Sequence, residues 1–292
     1  MRDHLVRVLS KDGSLRASFA VTTHLVEETR LRQKTDPLAT IALGRLVTAA
    51  ALCGSLLKDD QRLAMIVEGS GPLKKLLAET DAHGKVRASV KVPLTGFAPD
   101  WNKYAVADAV GRAGFLHVVK DLGLKEPYRG MVQLQTSEIG EDLAYYFAVS
   151  EQTPSSVGLG VALGEQGEVA SAGGFLIQAL PESDETILEK LENNLMALPS
   201  LTSLLAKGAA SPESILKTIF GEIPFTVQGS TDVVFRCTCG RRQTLNILAS
   251  LGQEELRKLV EEQNGAKVTC EFCKKDYSFG KVELLKLVEK LD

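Results

Sequence analysis

The sequence predicts an α+β protein with a mixed sheet-and-helix N-terminal domain, a helical connector and a small C-terminal zinc-binding module. Three observations lead there. Alternating apolar runs come in pairs around Gly-containing turns, helical patterns are scattered among them without a strict strand–helix alternation, and four of the five cysteines crowd near the C-terminus.

The elements follow in order. LVRVLS and SLRASFAV flank KDG and read as a hairpin. Asp36-Pro37 opens a helix, Asp as cap and Pro in the first turn, that runs through an apolar stretch to Leu57. RLAMIVE alternates, and KLLAET and KVRASV flank DAHG as a second hairpin. FLHVVK and MVQLQ are expected strands on either side of LKEPYRG, EDLAYYFAVSEQ is an expected helix, and VGLGVAL and GGFLIQAL are strands around GEQGEV. After Pro181 the texture changes. SDETILEKLENNLMALP has Ser183 as expected cap and Ile187, Leu188, Leu191, Leu195 and Leu198 at helical spacing; SPESILKTIFG has a Ser211 cap, Pro212 in the first turn, Ile215, Ile219 and Phe220 on one face, and Gly221 at its end. Isolated helices of this length are marginal in water, so each must pack against a neighbour. The expected division is 1–180 for the main domain, 181–231 for the connector and 232–292 for the cysteine-bearing module.

Composition sets limits on function. With 44% hydrophobic and 24% charged residues the chain is an ordinary globular one. MRDHLVRVLSKDG lacks the apolar core of a secretory signal. Residues 39–57 approach the length of a membrane span, but Arg45 interrupts them, and a buried core helix is the expectation. A reducing cytoplasm is the expected compartment, and structural disulfides are not expected there. Residues 1–180 carry 20 acidic and 20 basic side chains, 181–231 seven and three, and 232–292 ten and eleven. No segment has the basic footprint of a nucleic-acid binder, so neither nucleic acid nor a membrane is an expected partner.

Cys237 and Cys239 form one close pair and Cys270 and Cys273 another. Two thiolate pairs at this spacing suit a tetrahedral zinc, one Zn²⁺ per chain, and four protein ligands leave no open position for hydrolysis. A module this small draws only a few kcal/mol from its own core, so metal binding decides whether it folds. Zinc with four thiolates carries net negative charge, which Arg236, Arg241, Arg242, Lys274 and Lys275 are placed in sequence to offset. Thiolates are also the oxidisable form. Oxidation would remove the ligands, unfold the module and free the connector, exposing Ile187, Leu191, Leu195, Ile215, Ile219 and Phe220 as apolar surface for other proteins.

CTC with EFC, the segment WNKYAVADAVGRAGFLHVVKDLGLKEPYRG, the stretch SEQTPSSVGLGV and the run GGFLIQALP together resemble the heat shock protein 33 family of redox-regulated chaperones, over essentially the whole chain. The resemblance implies a cytoplasmic, ATP-independent holdase, with no nucleotide, that is inactive when reduced and zinc-bound. Peroxide or hypochlorite combined with unfolding stress activates it. It further implies that Cys237, Cys239, Cys270 and Cys273 are the metal ligands, that oxidation joins Cys237 to Cys239 and Cys270 to Cys273, that the connector takes part in client binding, and that the active form is a homodimer. Gly240 departs from the family's expected Ser, and Cys53 lies outside its pattern.

Other chemistry is poorly supported. Cys53 sits in the apolar helix as an inert thiol. His4, His24, His83 and His117 have no metal-ligand spacing, GLGVALG lacks the glycine spacing of a dinucleotide loop, and Ser150-Glu151-Gln152 has no catalytic partner, so no catalytic residue is assigned. Three rivals remain: a zinc ribbon on nucleic acid, a thiol–disulfide oxidoreductase using CEFC, and a hydrolase in the N-terminal domain. The first lacks basic charge, the second the usual helix start after a strand, the third a nucleophile and base.

Overall fold

The first hairpin forms as its alternation predicts: β1 (His4–Ser10) pairs antiparallel with β2 (Leu15–Val21) around Gly13. The computed structural model describes residues 2–97, 100–181, 183–206 and 211–290. A helix absent from the sequence reading follows at once, α1 (Thr23–Gln33), burying Leu25, Val26, Thr29 and Gln33 along one face. Then comes α2 (Pro37–Gly54), whose N-cap Asp36 accepts the Ala39 N–H at 2.9 Å. The second sheet begins with β3 (Arg62–Gly69) and the hairpin of β4 (Lys75–Asp81) and β5 (Lys85–Val90). Its turn needs Gly84, at φ +73°, where an added Cβ would lie 2.1 Å from the Asp232 carbonyl oxygen.

A short α3 (Val106–Val110) leads to β6 (Gly114–Asp121) and β7 (Tyr128–Gln133). The latter starts earlier than the expected MVQLQ, because Tyr128 and Arg129 already pair with Lys120 and Val119. After α4 (Gly140–Ser150), the strands β8 (Ser155–Leu163) and β9 (Val169–Ala179) form the expected pair.

The connector contributes α5 (Glu185–Met196), α6 (Leu201–Ala206) and α7 (Pro212–Phe220). The cap of α5 is Asp184, whose carboxylate accepts the Ile187 N–H at 2.8 Å, not Ser183, whose hydroxyl turns back to the Leu180 carbonyl. Ser211 caps α7 as expected. The connector ends in a strand, β10 (Phe225–Asp232), which runs antiparallel to β1; beyond it β11 (Val234–Phe235), at the start of the expected 232–292 module, adds parallel to β5.

Among the described residues up to Arg236 two sheets result, ordered β10-β1-β2-β9-β8 and β11-β5-β4-β3-β6-β7. The apolar α2 is buried between them, with Leu5, Ala20 and Leu176 from the first sheet and Met65, Ala78 and Val118 from the second in one core. That burial explains a helix long and apolar enough for a span, 83% of which lies inside the protein. The interrupting Arg45 is ion-paired with Glu138. Side chains of opposite parity on the first sheet, Val6, Val8, Leu15, Phe19, Phe175 and Ile177, form a second core with the connector helices. The first sheet is thus covered on both faces.

One loop carries visible strain. Ser137 and Ile139 both take positive φ, +62° and +69°, uncommon for any residue but glycine and most unusual for the β-branched Ile139. They are held by the fully buried Asp142, whose carboxylate accepts backbone N–H bonds from Gln135 (2.7 Å), Thr136 (3.0 Å), Ser137 (3.3 Å) and Ile139 (3.1 Å). Asp142→Asn is expected to lower stability by about 1.5–3 kcal/mol, since an amide nitrogen in place of Oδ2 cannot accept the Ile139 bond and the three bonds on Oδ1 lose their charged acceptor. A urea midpoint equal to wild type would contradict it.

The chain divides into two compact units, Met1–Arg236 and Cys237–Asp292. The second contains α8 (Arg241–Ala249), α9 (Gln253–Gln263), the antiparallel pair β12 (Gly265–Thr269) and β13 (Asp276–Gly280), and α10 (Lys281–Glu289). Among the described residues its core comprises seven buried side chains: Leu248, Leu256, Val260, Tyr277, Phe279, Leu284 and Val288.

Candidate metal centre and the connector helices

Each cysteine pair is shaped by its own local structure. Cys237 and Cys239 occupy the extended segment that ends at Gly240, the N-cap of α8. Cys270 and Cys273 lie in the tight turn between β12 and β13, closed by the Cys270 N–H to the Lys275 carbonyl (3.0 Å) and the Lys274 N–H to the Cys270 carbonyl (2.9 Å). Lys274 takes the left-handed φ of +58° that this turn requires.

The two arms bring all four sulfurs within 4.8 Å of one another. Cys237 Sγ lies 3.7 Å from Cys270 Sγ, and Cys239 Sγ lies 3.3 Å from Cys273 Sγ. A tetrahedral metal with bonds of about 2.3 Å to sulfur needs sulfur–sulfur edges of about 3.8 Å, so the donor set fits such an ion. The Tyr277 hydroxyl and Cys239 Sγ share a hydrogen bond at 3.2 Å, a partner the sequence reading missed. Arg241 bonds to Glu283 and stacks 4.5 Å from the Phe279 ring centroid, and Lys275 lies 5.5 Å over the Tyr277 ring. These two cations therefore also build the unit's packing.

Burial pushes the Cys239, Cys270 and Cys273 thiols up, although backbone N–H groups of Phe272 and Cys273 favour the Cys270 thiolate and that of Lys275 favours the Cys273 thiolate. Its bond to Cys239 pushes the Tyr277 phenol up to about 12. With raised pKa values these three thiols keep their protons at neutral pH when no metal is bound, and a bound cation must displace them. Affinity for Zn²⁺ is therefore expected to fall more than about tenfold per unit as pH drops from about 8 to about 6. Titration against a chromophoric chelator reads this directly, and a pH-independent affinity would contradict it.

The family model of the Hsp33 protein matches residues 3–280, spanning both units and the cysteine cluster. This chain belongs to the Hsp33 family. It is 56% identical over 288 residues to the 33 kDa chaperonin of Syntrophotalea carbinolica, covering 99% of this chain and 100% of that one. It is 46% identical to the 33 kDa chaperonin of Geobacter sulfurreducens, over 99% of this chain and 96% of its relative. The crystal structure of the 33 kDa chaperonin of Thermotoga maritima superposes with a TM-score of 0.91 at 34% identity, covering 99% of each chain. Hsp33 proteins are chaperones and not enzymes, and this chain is one of them.

In this Hsp33 chain the connector's apolar residues face the first sheet. Leu191, Ile215, Ile219 and Phe220 are buried there, and Ile187, Leu188, Leu195 and Leu198 are half-buried against the same core. Phe220 meets Phe225 with ring centroids 5.0 Å apart. The buried Leu216, omitted from the sequence-based set, belongs to this face as well, and its spacing in SILKTIF is the signal that could have found it. Cys53 is buried in α2, where burial pushes its thiol up to about 12, as befits an inert side chain.

Proposed function

We propose that this chain is a redox-regulated, ATP-independent holdase, working in the cytoplasm, with Cys237, Cys239, Cys270 and Cys273 as ligands of one Zn²⁺ in the inactive, reduced state. The observation that carries this reading is the clustering of four thiols within 4.8 Å in a unit whose core, among the described residues, has seven buried side chains. Zinc supplies the cross-link such a unit needs, and of the common metals it suits four thiolates without redox chemistry of its own. The thiols are then both fold and sensor.

Oxidation proceeds in balanced steps. One cysteine sulfur attacks the O–O bond of peroxide and becomes a sulfenic acid, releasing hydroxide; its neighbour's thiol displaces water and closes the S–S bond. Two disulfides consume two peroxides and all four donors. The pairing implied by the family resemblance is Cys237 with Cys239 and Cys270 with Cys273. The sulfur contacts of 3.7 and 3.3 Å in the reduced chain run across the pairs instead, 33 and 34 residues apart. A disulfide across the pairs would close such a long loop and staple the unit shut, whereas one within a pair restrains only a few residues. Local pairing thus favours unfolding.

The path to the connector is short along the chain: Cys237 follows Phe235 of β11, and β11 and β10 lead back to α7. Loss of order from Cys237 onward, with unfolding stress, frees α5, α6 and α7 from the first sheet. Ile187, Leu188, Leu191, Leu195, Leu198, Ile215, Ile219 and Phe220 and the sheet face beneath them become the surface that holds unfolding clients, in a homodimer. The test is light scattering of a thermally unfolding client without nucleotide. The peroxide-treated chain is expected to suppress aggregation and the reduced chain is not; equal suppression by both forms would refute redox control.

A further inference from the structure

The α2-facing side of the first sheet extends beyond the end of that helix and there changes character. Leu5, Ala20 and Leu176 pack under the helix, but Arg7, Arg16 and Gln178, of the same parity on β1, β2 and β9, line an open hollow of about 440 Å³. Lys58 and Ser55, just after α2, complete the rim with Ser18, and Leu9, Leu56, Leu57 and Leu176 give apolar wall. Among the described residues no carboxylate lines the hollow, and Arg7, Arg16 and Lys58 form no ion pair. Glu151 acts on Arg16 through its charge but is itself paired with Lys120.

Two further features point inward. The register of β1 against β10 slips between Arg7 and Val8, so that Arg7 opposes Gly229, Val8 opposes Val227, and Gln228 is the extra residue. Both Arg7 and Gln228 line the hollow, and a bulge of this kind re-aims side chains. The second feature is Arg16, whose Nε donates to the buried Gln178 Oε1 at 3.0 Å, which fixes the guanidinium and leaves its outer nitrogens for a ligand. The cations are not needed to close the helix: the Leu52, Cys53 and Gly54 carbonyls at its end already take the N–H groups of Ser55, Leu56 and Leu57.

We propose that this hollow binds a small phosphate monoester with an apolar body. Two guanidinium groups and an ammonium match a group of charge about −2 with three acceptor oxygens, more than one carboxylate offers. The Ser18 hydroxyl, which accepts from Ser55, keeps its own O–H as a further donor, and the leucines take the organic part; volume and mixed lining are those of a small-molecule site.

Phenyl phosphate titrated by calorimetry into the reduced full-length chain tests this. Saturable one-to-one binding is expected, weakened about tenfold or more by Arg16→Gln and by Lys58→Gln. Lys125→Gln, an equal charge loss outside the hollow, is expected to leave it unchanged. Arg16→Gln removes the donor to buried Gln178, so Lys58→Gln, whose ammonium has no partner among the described residues, keeps the test open should the first variant misfold. Inorganic phosphate and phenylpropanoate are expected to bind more weakly and benzyl alcohol not at all. Absence of saturation up to about 10 mM phenyl phosphate, affinity unchanged in Lys58→Gln, equal weakening by Lys125→Gln, or equal affinity for inorganic phosphate or phenylpropanoate would each overturn the proposal.

Discussion

Cys270→Ser is expected to abolish tight zinc binding and unfold Cys237–Asp292 without any oxidant. Apparent binding energies of structural zinc are roughly 10–16 kcal/mol in small modules. The seven buried side chains among its described residues cannot replace that, since a core of this size rarely yields more than about 3–5 kcal/mol. Cys270 sits where loss is least tolerable: its backbone closes the turn between β12 and β13, and its sulfur lies 3.7 Å from that of Cys237. A serine hydroxyl keeps the turn but is a poor, hard donor. Bound metal counted with a chelating dye should fall from one per chain to near zero, and limited proteolysis should cut within α8, α9 and the connector. Retained metal with an unchanged cleavage pattern would defeat the coupling between site and fold.

Phe220→Ala has the second largest expected effect. Phe220 is fully buried between α7 and the first sheet, against Phe225 and alongside Ile219 and Leu216. Removing a buried phenylalanine ring costs about 3–5 kcal/mol. That loss falls on helices already marginal alone, of 12, 6 and 9 residues in α5, α6 and α7. The variant should show faster hydrogen exchange over residues 185–220 and partial holdase activity while reduced, with its metal retained. Wild-type exchange rates there would show that the ring does not hold the connector down.

How much of this was legible in the sequence depended on whether the signal was local. The hairpins of β1 with β2 and of β4 with β5 announce themselves by alternation around Gly-containing turns, and α2 by Asp36-Pro37. Helix α1 was missed because two of the four residues it buries, Thr29 and Gln33, are polar, and they are held there by bonds the sequence pattern does not show: Gln33 Nε2 donates to the Ala88 carbonyl, and Thr29 Oγ1 to that of Leu25. Strand β10 was missed because QGSTD is mostly exposed and pairs at an edge with β1, more than 200 residues away, as His4 opposite Asp232 shows. The neighbouring Ser183 and Asp184 both suited the cap of α5, and only backbone geometry chooses between them. The cysteines were readable because each pair is local and chemically specific. Tyr277 was not, since its bond to Cys239 spans 38 residues and depends on β13.

The central claim is that thiol oxidation and connector release are one event. Zinc released from the wild-type chain and hydrogen exchange of residues 185–220 can be followed together after peroxide addition at raised temperature, then again after reductant and zinc are restored. The account predicts that loss of the metal and loss of protection over α5, α6 and α7 proceed with the same time course and reverse together. Stoichiometric zinc release with the connector still fully protected would contradict it and leave the four cysteines a purely structural metal site.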